Sequence, residues 1–349
     1  MRVAIVGAGA IARAYAVPVS RAGHDIAMWS LRGNALTTLV YDGVLQGQCD
    51  VRALADPSAL AAAETVLVAI PATAYADVLP RVAPHLRSSQ CVFVSGALSL
   101  APLWLAELAA THGARPLVAA SGTTVATARR RDNGVSIMTI RTRIGIAALP
   151  AALLSDALAT LQAMFGDRFD AVDNVLAVSL TNINPVAHAG MALANFTRIE
   201  RGEAWPQYHY LTPAVARLVE AMDHERRAVA ASFGVQVTTI EQHFQRSFDV
   251  PQASLAEIAA ELHRRRGGPA GPTSLDTRFV LEDVPYGLVF NAALARVTKV
   301  ATPVTEAAIT LLSTLYREDF RDDNPLIASL GLTSTTRDAL LARCTRIAE

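Results

Sequence analysis

Residues 2–23 read RVAIVGAGAIARAYAVPVSRAG, a short apolar strand that runs directly into closely spaced glycines and then into a helix. Gly7, Gly9 and Ala12 form the pattern G-x-G-x-x-A at this junction, which is the context that the dinucleotide-binding fingerprint requires. Gly7 permits the tight turn, Gly9 leaves room for a pyrophosphate against the backbone, and Ala12 lets helix and strand pack closely. Glycines also suit any strand-to-helix turn, but the spacing and the anion-attracting helix N-terminus favour a nucleotide cofactor. The cofactor-binding residues expected in this turn are Gly7, Gly9, Ala10, Ile11 and Ala12.

The chain up to about residue 120 alternates short apolar runs with amphipathic or alanine-rich segments, as the strands and crossover helices of a parallel sheet do. The predicted strands are residues 3–6, 26–29, 65–70, 91–94 and 116–119. The predicted helices are residues 10–23, 74–86 and 102–112, and residues 135–149 predict one or two further strands before a helix that starts at Pro150 and ends at Gly166. The fold class is therefore α/β, with an N-terminal Rossmann domain built on a doubly wound sheet.

The second half of the chain has a different pattern, which is almost wholly helical beyond residue 170. One long helix is predicted to start at Thr212 and Pro213, residue types that suit a cap and a first helical position. A chain of 349 residues exceeds the roughly 100 to 200 residues of a usual domain, so two domains are expected. We place the boundary near residue 172, which makes residues 1–172 the Rossmann domain and residues 173–349 an all-α domain.

Composition restricts the class of partner. The 31 basic and 31 acidic side chains balance, so no long-range field attracts a nucleic acid or a membrane surface, and small molecules are the expected ligands. No apolar stretch approaches the ~20 residues of a membrane span. The 3 cysteines form neither a disulfide framework nor a zinc site, which predicts a reducing, cytoplasmic location, and the histidines lack metal-site spacing. Apolar helix faces suit either a core or a homodimer.

The end of the second predicted strand indicates which dinucleotide is bound. NAD enzymes usually hold the ribose hydroxyls there with Asp or Glu, whereas this chain has Ser30 and Arg32. Ser30 can donate a hydrogen bond and Arg32 a charge-assisted one to a 2′-phosphate, which favours NADP and keeps NAD as the alternative. A solvated loop arginine is the other interpretation of Arg32. Pro71 and Ala72 follow another strand end, and their backbone is expected either to line the cofactor or to form an ordinary turn.

Two motifs of the second half contain polar groups in unusual settings. In NINPVAHAG, residues 182–190, Pro185 cannot donate to a helix ladder, so the chain should break there and leave polar groups beside Asn184 and His188. Alone, a histidine among alanines is more often a satisfied structural residue. In TRFVLEDVPYG, residues 277–287, a cation and two carboxylates precede a proline, and alone they would suit a solvated turn with a surface salt bridge.

Three motifs in this order, G-x-G-x-x-A, N-x-N-P-x-x-H and R-x-x-x-E-D-V-P-Y-G, resemble the opine dehydrogenase family, the octopine and nopaline dehydrogenase-like proteins. The resemblance spans essentially the whole chain, and the three motifs agree with the predicted change of domain. It implies a Rossmann domain joined to an all-helical substrate domain, with catalysis in the cleft between them. It also implies that His188 is the acid/base, that Asp283 is its carboxylate partner, and that Arg278 lies close to the substrate carboxylates.

The resemblance implies a nicotinamide-dependent reductive condensation, in which a 2-oxo acid and the amino group of an amino acid form an imine that is reduced to a secondary amine. Histidine suits this chemistry because imidazole exchanges protons near neutral pH. Asp283 would set its tautomer, Arg278 would offer a planar fork to a carboxylate, and Asn184 would bond the substrate or the nicotinamide amide. The cofactor would supply the hydride.

Two other functions remain open. Ketopantoate reductases and related hydroxy-acid dehydrogenases also join a Rossmann domain to a helical one, and they typically use a catalytic lysine. Here the sole lysine is Lys299, and the position four before Asn184 is Leu180, which argues against a lysine-dependent enzyme. A non-catalytic dinucleotide sensor is the third hypothesis, and it predicts cofactor affinity without turnover.

Overall fold

The structure, a computed structural model, describes residues 1–33 and 36–346. The chain divides into two compact units. Residues 1–179, together with the segment that begins at Ala339, form the first, and residues 180–338 form the second. The sequence-based boundary near residue 172 lies a few residues before this division and stays a prediction.

A large, mainly parallel sheet organises the first unit. Its central strand, Arg2–Val6, is hydrogen-bonded in parallel to the strand Asp25–Trp29 on one side and to Thr65–Val68 on the other. The strands of this unit are β1 (Arg2–Val6), β2 (Asp25–Trp29), β3 (Thr38–Gly43), β4 (Gly47–Asp50), β5 (Arg52–Ala53), β6 (Thr65–Val68), β7 (Cys91–Val94), β8 (Leu117–Ser121), β9 (Ala126–Arg131), β10 (Gly134–Ile140), β11 (Ile144–Leu149) and β12 (Phe169–Ala171). The large sheet has the order β12-β11-β8-β7-β6-β1-β2-β5.

Every strand predicted from the first 120 residues is present in this sheet, which confirms the Rossmann domain and the α/β fold class. The strands β6 and β7 are buried throughout, because helices cover both faces of a doubly wound sheet. The helices that begin in this unit are α1 (Ala10–Arg21), α2 (Tyr75–Val82), α3 (Ala101–Thr111), α4 (Leu154–Phe165) and α5 (Val175–Thr181). The helix predicted at Pro150 starts as a 3₁₀ turn, Ala151–Leu153, and ends at Gly166 as expected.

A second, smaller sheet was missed by the sequence-based prediction. It has the order β4-β3-β10-β9, and only β10 falls within a predicted strand segment. Its register joins distant parts of the chain, since Val40 on β3 lies opposite Gly134 on β10. The strand β3 alternates buried and exposed residues and ends in Asp-Gly, so its sequence lacks the continuous apolar run by which the buried parallel strands were predicted.

The second unit is helical, as predicted for the second half of the chain. The helices are α6 (Asn184–Ala194), α7 (Phe196–Glu200), α8 (Pro213–Ser232), α9 (Ile240–Phe248), α10 (Leu255–Arg266), α11 (Arg278–Leu281), α12 (Phe290–Thr298), α13 (Pro303–Tyr316) and α14 (Pro325–Ser329), followed by α15 (Arg337–Thr345). The predicted helix start at Thr212 and Pro213 is confirmed. None of the helices in the described residues is both long enough and apolar enough to cross a lipid bilayer.

Candidate active site

The turn between β1 and α1 requires glycine at its first position. Gly7 has a φ of +121°, and a Cβ there would lie 2.5 Å from the carbonyl oxygen of Ala69. The N–H of Gly7 donates a 2.8 Å hydrogen bond to the carbonyl of Trp29 at the end of β2. Any larger residue would therefore displace the turn from the strand ends, which is the role that the fingerprint predicts for its first glycine.

The second glycine leaves the N-terminus of α1 open. Gly9 is exposed, and a Cβ added to it would meet no atom of the described residues within 4 Å. Ala10 and Ile11 lie in the first helical turn and are partly exposed, whereas Ala12 is fully buried and packs the helix against the sheet. The first turn contains no acidic residue. An anionic ligand can thus approach the helix N-terminus along the Gly9 backbone.

These residues open onto a groove of about 1100 Å³ within the first unit. Among the predicted cofactor-binding residues, the ones that line it are Gly7, Gly9, Ser30, Arg32 and Pro71. Arg32 is exposed in a turn closed by the hydrogen bond from the N–H of Gly33 to the carbonyl of Ser30. Ala72 is instead buried in a 3₁₀ turn, and its neighbours Thr73 and Ala74 line the groove.

Arg13 is a residue of this groove that the sequence-based prediction missed. Its guanidinium is almost fully buried and donates hydrogen bonds to the carbonyls of Ala8, Arg131, Asp132 and Gly134. Burial, and then the nearby Arg130, lower the pKa of Arg13. The side chain therefore ties the glycine turn to the β9–β10 hairpin, which brings Arg130 to the groove wall. A charged residue directly after the fingerprint, between apolar residues on both sides, was the signal for this role.

The open helix N-terminus, the bare Gly9 backbone and the cations Arg13, Arg32 and Arg130 suit a phosphate-bearing dinucleotide. Asp77 and Asp132 also line the groove, so its charge is not uniformly positive. Within the part of the chain that the structure describes, no three His, Cys, Asp or Glu side chains group closely enough to hold a metal ion.

In the second unit, the N-x-N-P-x-x-H motif starts a helix. The helix α5 ends at Thr181 and α6 begins at Asn184, so the chain breaks where the proline predicted. Pro185 occupies the first turn of α6, where a missing N–H costs nothing. Asn184 and His188 are one helical turn apart and both partly exposed, so their side chains share one face of α6.

The R-x-x-x-E-D-V-P-Y-G motif forms a short helix that continues into a π-helical segment, Val284–Val289. The hydroxyl of Thr277 accepts a hydrogen bond from the N–H of Phe279 and caps α11. Asp283 immediately precedes the π-helical segment. Such wide turns are uncommon and often occur at functional sites, because they turn side chains away from their regular helical positions.

His188 and Asp283 meet although 95 residues separate them along the chain. The His188 Nδ1 and the Asp283 Oδ2 are 2.7 Å apart, with 16% of the imidazole side chain exposed and none of the aspartate. Asp283 Oδ1 has no hydrogen-bond partner among the described residues, and a guanidinium nitrogen of Arg278 lies 3.9 Å from it. An ionised carboxylate only accepts hydrogen bonds, so the His188 Nδ1 must carry the hydrogen of this bond. Nε2 is then the ring nitrogen left to exchange protons.

The same two motifs also contact each other through Pro185 and Gly287. A Cβ added to Gly287 would lie 2.2 Å from the Cγ of Pro185, so only glycine permits this approach. Pro185 is three residues from His188, and Gly287 is four residues from Asp283. The contact therefore sets the distance between α6 and the π-helical segment that the His188–Asp283 hydrogen bond spans.

Phe279 and Arg278 complete the surroundings of His188. The Phe279 and His188 rings are stacked, with centroids 3.6 Å apart and planes 7° apart. Arg278 is 55% exposed, and its Nε lies 3.8 Å from the Glu282 carboxylate. The sequence-based prediction missed Phe279, although its position four residues before Asp283 places both on one side of a helical turn. A proton-exchanging imidazole beside a cation can act on a substrate that bears a carboxylate.

Residues 171–316 match the family described as NAD/NADP octopine/nopaline dehydrogenase, alpha-helical domain. Residues 3–150 match the family described as ketopantoate reductase PanE/ApbA. The match to the first family covers the His188 and Asp283 motifs, and the match to the second covers the glycine turn and the groove.

The relatives agree with the helical-domain match over nearly the full length. An opine dehydrogenase of Arthrobacter sp. (strain 1C) is 28% identical over 345 residues, which cover 95% of this chain and 96% of that protein. An octopine dehydrogenase solved with NADH and L-arginine has a TM-score of 0.80 at 16% identity, covering 99% of this chain and 98% of that one. A yersinopine dehydrogenase solved with NADP+ has a TM-score of 0.69 at 17% identity, covering 99% and 98%. Over nearly its whole length the chain is thus similar to opine dehydrogenases, and its residues 171–316 match the helical-domain family of the octopine and nopaline dehydrogenases.

Proposed function

We propose that this protein is an NADPH-dependent opine dehydrogenase, which condenses a 2-oxo acid with the amino group of an amino acid and reduces the resulting C=N bond to a secondary amine. The observation that carries the proposal is the 2.7 Å hydrogen bond between His188 and the fully buried Asp283, with Arg278 beside it. This arrangement pairs a proton-exchanging group with a carboxylate-binding group, and the proposed substrates contain both an ionisable amine and carboxylates.

His188 handles the protons of the condensation. Its Nε2 takes a proton from the substrate ammonium, which turns the nitrogen into a nucleophile that adds to the keto carbon. The oxygen of the adduct then gains two protons, one returned by His188 and one released by the adduct nitrogen, and leaves as water while the protonated C=N bond forms. The 16% of the imidazole side chain that is exposed supplies the access that this exchange needs.

Asp283 orients the imidazole and compensates its charge. Because the carboxylate accepts Nδ1–H, it holds the tautomer in which Nε2 carries the lone pair. When Nε2 takes up a proton, the buried negative charge lies 2.7 Å from the imidazolium. A buried carboxylate with so few partners gains from a positive charge on His188, which supports its assignment as the partner of the acid/base.

Arg278 and Asn184 bind the substrate in this proposal. Arg278 lies 3.8 Å from Glu282 and 3.9 Å from Asp283, and more than half of its side chain is exposed. The exposed planar guanidinium offers a substrate carboxylate two parallel, charge-assisted hydrogen bonds. Asn184 shares the His188 face of α6 and offers an amide to the substrate or to the nicotinamide amide.

The groove of the first unit holds the cofactor. The backbone at Gly7 and Gly9 receives the pyrophosphate at the N-terminus of α1, and Ser30 and Arg32 receive the 2′-phosphate. A nicotinamide dinucleotide, when bound, supplies the hydride that reduces the C=N carbon. The octopine dehydrogenase neighbour was solved with NADH and the yersinopine dehydrogenase neighbour with NADP+, so relatives alone do not select between the two.

The NADP preference depends on Arg32 and has its own test. Fluorescence titration with NADPH and NADH should give tighter NADPH binding, because only the 2′-phosphate gives the guanidinium a charge-assisted partner. Arg32→Gln should reduce the affinity for NADPH and leave that for NADH nearly unchanged. In the wild-type protein, a dissociation constant for NADH about tenfold lower than that for NADPH would contradict the preference.

The reaction is tested by NADPH oxidation with pyruvate or 2-oxoglutarate, alone and together with each member of an amino acid panel. Loss of NADPH absorbance only when both substrates are present, with a secondary-amine product found by mass spectrometry, is the expected result. Oxidation with the oxo acid alone would instead support a hydroxy-acid enzyme, the function to which the ketopantoate reductase match of residues 3–150 points. NADPH binding without any turnover would support a dinucleotide sensor.

A further inference from the structure

The imidazole of His188 has two neighbours that restrict it in different directions. Asp283 contacts the ring edge, through Nδ1, and Phe279 covers one face, with the two ring planes only 7° from parallel. A hydrogen bond to the edge of a ring leaves it able to rock about the hydrogen-bond direction. A flat side chain against the face opposes that rocking, because the centroid separation of 3.6 Å is already van der Waals contact.

The geometry of this stack is unusual for two neutral rings. Neutral aromatic pairs prefer offset or edge-on arrangements, because their faces carry like partial charge. Phe196 and Tyr316, another aromatic pair of the second unit, follow that preference with planes 72° apart. A cation is attracted to the face of a phenyl ring, so the parallel stack on His188 suits an imidazole that becomes positively charged during the reaction.

Phe279 is held in place by the chain segment that also carries Asp283. The N–H of Phe279 donates to the Thr277 hydroxyl, and helical hydrogen bonds continue from Glu282 to Arg278 and from Tyr286 to Glu282. Four residues separate Phe279 from Asp283, which is the spacing that places two side chains on one side of a helical turn. A single short segment thus presents the edge partner and the face partner of His188 in one fixed arrangement.

We propose that Phe279 is a positioning residue for the acid/base, which fixes the plane of the His188 imidazole and stabilises its protonated form by its aromatic face. The catalytic consequence rests on the proposed function, in which His188 returns a proton to the departing oxygen. The stack itself does not depend on the proposed function, and it is measurable in the protein without any ligand. The two parts are therefore tested by separate measurements.

The stack is tested by NMR of the full-length protein with ¹³C-labelled histidine rings. The chain has 8 histidines, and His188→Gln identifies the resonance of His188. The ring current of a stacked phenyl should move that resonance upfield, Phe279→Leu should return it toward the other histidines, and Phe279→Tyr should restore it. Phe196→Leu is the matched control, since Phe196 is also partly exposed and forms a T-shaped rather than a stacked pair, with Tyr316 of the same unit. A His188 resonance that does not move in Phe279→Leu overturns the inference.

The positioning role is tested by steady-state kinetics with NADPH and an active substrate pair. Phe279→Leu should lower kcat about 2- to 30-fold, the range that a lost cation–π contact implies, with KM for the oxo acid and for NADPH unchanged. Phe279→Tyr should recover kcat, and Phe196→Leu should keep the wild-type value. A rise in KM with unchanged kcat would overturn the inference, because it would make Phe279 a substrate contact. If the wild type turns over no pair, the proposed function fails, and the NMR measurement still decides the stack.

Discussion

Gly287→Ala tests whether the contact between Pro185 and Gly287 sets the alignment of the acid/base pair. The added Cβ would lie 2.2 Å from the Cγ and 2.4 Å from the Cβ of Pro185. Carbon atoms in contact are ordinarily at least about 3.5 Å apart, so α6 and the π-helical segment must separate by about 1.3 Å. Transmitted to the neighbouring residues, this movement stretches the 2.7 Å His188–Asp283 hydrogen bond to about 4 Å, beyond hydrogen-bond range.

Two effects follow from this separation. A displacement of about 1 Å at a catalytic group can cost roughly a hundredfold in rate, so we expect kcat to fall by about that factor. Overpacking a close contact also lowers the free energy of unfolding, by about 1–3 kcal/mol. The affinity for NADPH should stay unchanged, because Gly287 belongs to the second unit and the groove to the first.

The assay measures kcat with the best pair from the substrate screen, the urea-unfolding midpoint, and the NADPH dissociation constant by fluorescence. Gly9→Ala is the reciprocal control, because the added Cβ would meet nothing within 4 Å in the part of the chain that the structure describes. That variant should unfold like the wild type but bind NADPH more weakly, since the methyl group occupies the space expected for the pyrophosphate. Wild-type kcat and stability in Gly287→Ala would refute the argument that this contact aligns the two motifs.

Three further predictions concern other parts of the structure. Asp283→Asn should lower kcat at least about a hundredfold with little change in NADPH binding, because the amide can hold the wrong tautomer of His188, and near-normal turnover would exclude the pairing as catalytic. Arg278→Lys should raise KM for the oxo acid although the charge is kept, because an ammonium lacks the planar fork, and an unchanged KM would show that charge alone suffices. Burial raises the pKa of Cys344 to about 12, so almost no thiolate is present at pH 8 and labelling by a thiol reagent should require unfolding. Labelling should slow when NADPH is added, because a ligand that binds the folded state stabilises it. Rapid labelling of Cys344 in the native protein would contradict this burial.

Much of the fold of the first unit could be predicted from the order of residue types within short stretches of the chain. The turn at Gly7 and Gly9 depends on consecutive residues, and buried parallel strands are continuous apolar runs. The helical second half likewise follows from a periodicity that each helix contains in itself. These features could be predicted because the physical causes, backbone sterics and burial of one side of an element, act over a few residues.

The second sheet could not be predicted in this way. The pairing of Val40 with Gly134 joins segments almost a hundred residues apart, and neither segment determines the register by itself. Arg13 shows the same limit at the level of one side chain, since its carbonyl partners Arg131, Asp132 and Gly134 lie on a distant hairpin. The sequence shows a charged residue between apolar neighbours in α1, whereas the carbonyls that accept its hydrogen bonds are known only from the folded structure.

The candidate site divides in the same manner. The motifs around His188 and Asp283 identified the residue types, and family resemblance indicated that they belong together. The 2.7 Å hydrogen bond, the close contact of Pro185 with Gly287 and the stacked ring of Phe279 emerged from the folded structure. The sequence alone gives residue identity and short-range spacing. Distances between side chains on separate elements depend instead on how those elements pack, and each element's packing depends on all of its neighbours together.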